Sequence, residues 1–447
     1  MTLPANQLGL EAAEISGSGL KKRSIDSVQV AGGEVSEASV RVSESSSSVA
    51  PNAAMKFGVE SSSFLDSKSC EDFSYRKRAP IWESVTLEQW SDWKWQLKHK
   101  VTTIAEVVEV FPELKLKGAE LEEAARIFTL GATPYYLALA TSSSLADPIL
   151  RQAIPCEDEL HLRGDEEADP LAEDQYMPVP GLTHRYPDRV LLYTTHHCAM
   201  YCRHCNRRRK VGDPSSAPSK EQLLRCVDYV REHPEVRDIL VSGGDPLTLA
   251  DSRLDWLLGQ LRAIPHLEII RIATRIPVTL PQRITEELGA LLKKYHPIYV
   301  STHFNHVAEC TPESGESLRR LADYGCVVNN QMVLLRGVNE DPSMVKKLNQ
   351  WLLKNRCRPY YIFQCDSVEG VGHFKTPIAT GTRLIDNLRG WTSGLAVPHY
   401  VVDLPKGGGK VSVQPDYCLE SEGGRYRFRN YNGEVYEYVD GVSHENP

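Results

Sequence analysis

The chain has 447 residues, and 51 Lys and Arg against 59 Asp and Glu leave a formal net charge of −8. That balance excludes a binder whose affinity comes from neutralising nucleic-acid phosphates, and no apolar run approaches the roughly 20 residues that cross a bilayer. Eleven cysteines, an odd number, without an apolar secretory run at the start, predict a reducing, cytoplasmic setting in which cysteines are metal ligands or buried thiols.

Residues 1–75 are Ser-rich and poor in aromatics, with runs at Ser45–Ser48 and Ser61–Ser63. Such a segment buries too little apolar surface to offset its ordering entropy, so disorder is expected. A transit peptide is the sharper alternative, which the acidic Glu11, Glu14, Asp26, Glu34 and Glu37 disfavour without closing. Residues 76–175 read as a helical region. Trp90, Trp93 and Leu97, then Ile104, Val107 and Val108, recur at helical spacing, and Leu121–Leu130 reads as a further helix.

From Arg189 the rhythm changes. Short β-branched runs (Val190–Thr195, Ile239–Ser242, Ile269–Thr274, Ile298–Thr302, Val327–Leu335, Tyr360–Gln364 and Tyr400–Asp403) alternate with amphipathic stretches such as Lys220–Glu232, Leu254–Ala263, Glu286–Tyr295 and Pro342–Asn355. This alternation predicts an α/β fold with parallel strands and right-handed crossovers, a full or partial (βα) barrel over residues 176–395, followed by a C-terminal region, 396–447. Functional groups of such folds collect at the carboxyl ends of the strands.

Several groups fall at those ends. Cys198-Ala-Met-Tyr-Cys202-Arg-His-Cys205 offers three thiolates after the first run. Three cysteines on an iron–sulfur cube leave one iron open. A structural zinc site closes with four ligands, and here His196, His197 or His204 could supply the fourth. Ser242-Gly243-Gly244-Asp245 follows the second run and by itself reads as a strand-to-helix turn. His303 and Gln331 by themselves read as buried structural groups. Arg207 belongs to the basic run Arg207–Lys210, and Arg185, Tyr186 and Arg189 by themselves read as surface groups. Lys410 follows Pro405-Lys406-Gly407-Gly408-Gly409. A lysine there suits a phosphate cradle, a flexible turn or an imine-forming amine, and the spacing is not that of a Walker motif.

The cysteine spacing resembles that of the radical S-adenosylmethionine (SAM) superfamily. Together with Trp90-Ser-Asp-Trp93-Lys-Trp-Gln96, Tyr176–Arg189, Arg207-Arg208-Arg209, Ser301-Thr-His303-Phe-Asn-His306 and the glycine run before Lys410, it resembles the lysine 2,3-aminomutase family from about Trp82 to the early 430s. The resemblance implies a partial barrel of the radical SAM type with an N-terminal helical region. It implies a [4Fe–4S] cluster on Cys198, Cys202 and Cys205, and SAM held by Ser242, Gly243, Gly244, Asp245, His303 and Gln331. It also implies pyridoxal 5′-phosphate (PLP) on Lys410, with its phosphate at Arg185, Tyr186 and Arg189. Arg207 would take the substrate carboxylate, and Asp366 and Asp403 a distal ammonium. The implied reaction interconverts L-lysine and β-lysine. A distal carboxylate does not suit the acidic pair, which disfavours glutamate, while arginine is the alternative substrate, because Phe363 stands where lysine enzymes often carry Tyr. Lys406 stands where the family usually has a glycine. Implied partners are an amino-acid substrate and an electron donor such as flavodoxin or ferredoxin, with neither nucleic acid nor membrane and with room for a homo-oligomer. No cysteine occurs in Gly423–Pro447, so the C-terminal zinc of some relatives is not expected. The non-enzyme alternative is a Cys₃His zinc scaffold.

Overall fold

Seven of the strands expected from the β-branched runs are present, in sequential order, in one nine-stranded sheet. The computed structural model describes residues 80–212 and 218–441, so the Ser-rich stretch lies outside the described residues. The strands are β1 Leu182–Tyr186, β2 Arg189–Tyr193, β3 Asp238–Ser242, β4 Ile269–Ala273, β5 Ile298–Thr302, β6 Val327–Leu334, β7 Cys357–Gln364, β8 His399–Leu404 and β9 Gly409–Ser412. β2 to β8 are all parallel. β1 pairs antiparallel with β2, and β9 antiparallel with β8. The sheet therefore runs on past residue 396 through β8 and β9. β1 and β9 were not expected: each is a short, polar edge strand without an apolar run to announce it. A separate meander, β10 Cys418–Glu422, β11 Arg425–Arg429 and β12 Val435–Val439, follows.

The pleat sorts each strand into two faces. Val190, Leu192, Ile239, Val241, Ile270, Ile272, Ile298 and Val300 are fully or almost fully buried in the main core. The alternate positions Leu191, Leu240, Arg271, Tyr299 and Asn329 line a cavity inside the curved sheet. Helices Lys220–Glu232, Asp251–Arg262, Glu286–Lys293, Pro312–Asp323, Pro342–Lys354 and Ile378–Leu388 connect successive strands or follow them. Local sequence starts them: Ser219 and Gln222 form a capping box, and Asp341 accepts from Ser343 N and Met344 N ahead of Pro342. The two helices not singled out from sequence, Pro312–Asp323 and Ile378–Leu388, carry Gly315 and Gly381, although Gly259 and Gly289 sit in two that were. At Gly381 packing explains the glycine, because a Cβ would come within 2.2 Å of the Tyr400 ring.

The N-terminal helical region is real but more broken than its periodicity suggests. Trp90 and Trp93 lie on two helices, Leu87–Ser91 and Trp93–Lys98. Asp92 is extended and its carboxylate caps the second by accepting from Lys94 N at 2.9 Å. Ile104–Val110 forms behind the Thr103 capping box, and Gly118–Ile127 replaces the expected Leu121–Leu130. Among the described residues no helix is long and apolar enough to cross a membrane.

Candidate active site

Every residue that the resemblance assigns to the site lines one cavity of about 850 Å³ at the carboxyl ends of the strands, as does His204, whereas His196 and His197 do not. Three groups of contacts build it.

The first is the cysteine loop after β2. It is anchored by charge. Arg203, inside the cysteine run, is fully buried and pairs with Glu159 through Nη2 at 2.6 Å, while Nη1 donates to the Phe128 and Thr129 carbonyls. Arg208 donates to the same Glu159 at 2.6 Å. Arg209 pairs with Asp169 and Lys210 with Asp174. The whole basic run thus finds its anions in the acidic stretch 157–174, a partnership the sequence displayed as two runs of opposite sign but did not connect. Burial pushes the Cys205 thiol up to about 11 and the Cys198 thiol well above its usual range. Two cations reach this loop: Lys100 Nζ donates to the Cys198 carbonyl at 3.0 Å, and Arg275 Nη1 to Cys202 Sγ at 3.0 Å.

Ser242–Asp245 packs against that loop. Gly244 N donates to the Thr195 carbonyl at 2.5 Å and Asp245 N to the His197 carbonyl at 2.7 Å. A Cβ on Gly243, whose φ is +116°, would lie 2.5 Å from the Thr195 carbonyl oxygen, and one on Gly244 would lie 2.3 Å from that of His197. Both glycines are therefore required by the close approach of two backbones. The Asp245 carboxylate accepts from Thr274 Oγ1 and Arg275 N, each at 2.7 Å, and from Leu247 N at 3.1 Å. Burial still lifts it to about 6, those hydrogen bonds opposing. In this structure it organises the turn. His303 Nε2 lies 3.1 Å from His204 Nε2. Burial and then the Arg275 charge push His303 down to about 3 and His204 well below its usual range. Both rings are neutral at pH 7, and one donates to the other. Gln331 Nε2 donates to Ser301 Oγ at 3.3 Å.

The second group bridges the two edges of the sheet. Tyr186 on β1 accepts at its hydroxyl from Lys410 N on β9 and from Arg185 Nη2, both at 3.2 Å. The Arg189 guanidinium stacks 4.0 Å over the Tyr186 ring. Lys410 Nζ donates to Asp403 Oδ1 at 2.9 Å, and Arg185 Nη2 stands 3.7 Å from the same oxygen. Lys410 Nζ also sits 5.0 Å over the Phe363 ring. Lys406, in the glycine run, takes the left-handed φ of +55°, so the loop keeps a glycine-like path at a cost of roughly 1–2 kcal/mol.

The third group lies between them. Asp366 accepts from Asn206 Nδ2 at 3.0 Å, and burial followed by the nearby Asp403 charge lifts it to about 6. Arg207 is held by Glu173, with Nε at 3.0 Å and Nη2 at 2.6 Å from Oε1, and Nε is also 3.2 Å from the Tyr193 hydroxyl. Tyr193 in turn donates to Glu173. Glu173 and Asn206 escaped the sequence reading, which saw Arg207 as a bare cation. Among the described residues no three His, Cys, Asp or Glu side chains are set to hold a single metal ion.

A family model described as "Radical SAM superfamily" matches residues 192–348, and one described as "Lysine-2,3-aminomutase" matches 385–444. An L-lysine 2,3-aminomutase of Methanococcus maripaludis is 47% identical over 364 residues, 80% of this chain and 84% of that protein. The L-lysine 2,3-aminomutase of Bacillus subtilis is 47% identical over 81% of this chain and 77% of its own length. A glutamate 2,3-aminomutase of Clostridioides difficile is 44% identical over 79% of this chain and 84% of its own.

Proposed function

The chain belongs to the lysine 2,3-aminomutase family of the radical SAM superfamily, and from that premise we propose that this isomerase interconverts L-lysine and β-lysine. Bound together, the cluster and SAM supply a carbon radical that removes a hydrogen atom, and PLP supplies the carbonyl through which an amino group migrates between C2 and C3. Everything else is left to the chain. Cys198, Cys202 and Cys205 would hold the cluster, and the sulfur chemistry fits: three thiols on one loop face one cavity with cations beside them. Lys410 would carry PLP. The Arg185–Tyr186–Arg189 group suits its phosphate, since two guanidinium groups lie against one tyrosine ring, one of them bonded to its hydroxyl. Lys410 sits on an edge strand next to glycines, where its amine can exchange partners.

The acidic pair carries the choice of lysine. Asp366 is raised to about 6 by burial and by Asp403, so this wall of the cavity favours a further positive charge. A substrate ε-ammonium provides it, whereas a distal carboxylate would add a third anion to two that already repel. The substrate carboxylate would meet Arg207, whose orientation Glu173 and Tyr193 fix. A one-electron donor of the ferredoxin or flavodoxin class would reduce the cluster. The test is anaerobic reconstitution with iron, sulfide, PLP, SAM and reductant, followed by competition among lysine, arginine and glutamate. β-Lysine as the main product is expected. β-Arginine would move the acidic pair to a guanidinium, and β-glutamate would overturn the reading of that pair.

A further inference from the structure

Arg275 is not among the residues that the resemblance assigns, yet it makes a close contact with one of the three sulfurs. It follows β4 and is 8% exposed. Its Nη1 donates to Cys202 Sγ at 3.0 Å. Its Nε donates to the His303 carbonyl at 3.1 Å, and its Nη2 donates to Gln152 Oε1 at 2.6 Å and Glu309 Oε1 at 2.8 Å. The last two acceptors fix the fork from behind, and Glu309 is fully buried. The guanidinium therefore cannot swing away from the sulfur without giving up these hydrogen bonds and leaving the buried Glu309 carboxylate without its cation.

A charge-assisted hydrogen bond draws electron density from a thiolate ligand. It favours the reduced, more negative state of an iron–sulfur cluster, whose potential follows net charge, hydrogen bonds to sulfur and exposure. Burial strengthens the effect, because the charge acts through a medium of lower dielectric than water. Glu309, one hydrogen bond further out, opposes it. We propose that Arg275 is a positioning residue that raises the reduction potential of the cluster on Cys198, Cys202 and Cys205, and that Glu309 moderates that rise. The proposal rests on the cluster reading of those cysteines and adds the group that decides how readily the cluster accepts its one electron.

The experiment is an EPR-monitored redox titration of the anaerobically reconstituted full chain with low-potential mediators. Arg275→Gln should lower the midpoint so that the reduced-to-oxidised ratio at a fixed potential falls tenfold, about 59 mV for one electron. Arg275→Lys, which keeps the charge and loses the fork, should move it the same way by less. Glu309→Gln should move it upward. Opposite signs are the signature, since a purely structural role would degrade cluster loading in both. An unchanged midpoint in Arg275→Gln with full iron content overturns the proposal. So does an unchanged midpoint with weakened SAM binding, which would place Arg275 in the ligand site instead. If Arg275→Gln takes up no iron, Arg275→Lys and Glu309→Gln decide: shifts in the stated directions support the proposal, and anything else overturns it. Failure of the cluster reading is separate, and would be seen in the unmutated chain as the absence of a four-iron cluster.

Discussion

Cys198, Cys202 and Cys205 share one short loop, whereas the groups around Lys410 come from opposite edges of the sheet, Lys410 and its Tyr186 contact lying 224 residues apart. The cysteine loop is clamped by ion pairs that solvent does not reach, with Arg203 and Glu159 side chains 0% and 1% exposed. The Lys410 side chain is 33% exposed and holds a single carboxylate. The difference suits the two tasks proposed for these regions. An electron-accepting group needs a fixed frame, and an amino acid that enters, reacts and leaves needs contacts that trade partners. Lys410 and Arg185 already share the Asp403 carboxylate, as the proposed exchange would need.

If the loop is the fixed half, the largest effects come from breaking it. Cys202→Ser is expected to abolish the brown cluster absorbance and bring aminomutase turnover to background, and iron analysis beside a product assay checks this. Glu159→Gln leaves Arg203 and Arg208 buried without their anion. It is expected to cost about 3–5 kcal/mol of stability, read by chemical denaturation, and to impair cluster loading. A loss below 1 kcal/mol would mean that the clamp is dispensable.

The groups around Lys410 predict smaller effects confined to substrate. Asp403→Asn is expected to raise the KM for lysine roughly 10–100-fold while cluster content stays normal; steady-state kinetics on lysine with parallel iron analysis decides. Asp366 predicts a pH effect in the ligand-free protein. Its folded pKa of about 6 lies above its ordinary 3.8. Its contribution to stability is therefore complete below about 4 and is lost as pH rises through about 6. Asp366→Asn removes that loss and should leave the variant about 1–3 kcal/mol more stable at pH 7.5 but not at pH 4. Equal denaturation midpoints at both pH values would contradict it.

What could be read from the sequence divides along the same line. The cysteine run is contiguous, and β2 to β8 are marked by apolar β-branched runs, so both were legible. β1 and β9 were not, because edge strands in polar sequence carry no such mark, and their closeness follows only from the curvature of the whole sheet. The glycines of Ser242–Asp245 were legible as a turn, but their reason, the approach of the Thr195 and His197 carbonyls, was not. Glu173 was hidden for another cause: a carboxylate in an acidic stretch has no local sign that its partner is Arg207.

The most direct test of two separable halves is the spectrum of Lys410→Ala after anaerobic reconstitution with iron, sulfide and PLP. Full iron content and an unchanged response of the cluster EPR signal to SAM are expected, with no protein-bound PLP absorbance and no β-amino acid formed. A variant that still binds PLP and makes β-lysine at the normal rate, or one that loses its cluster along with PLP, would contradict this expectation.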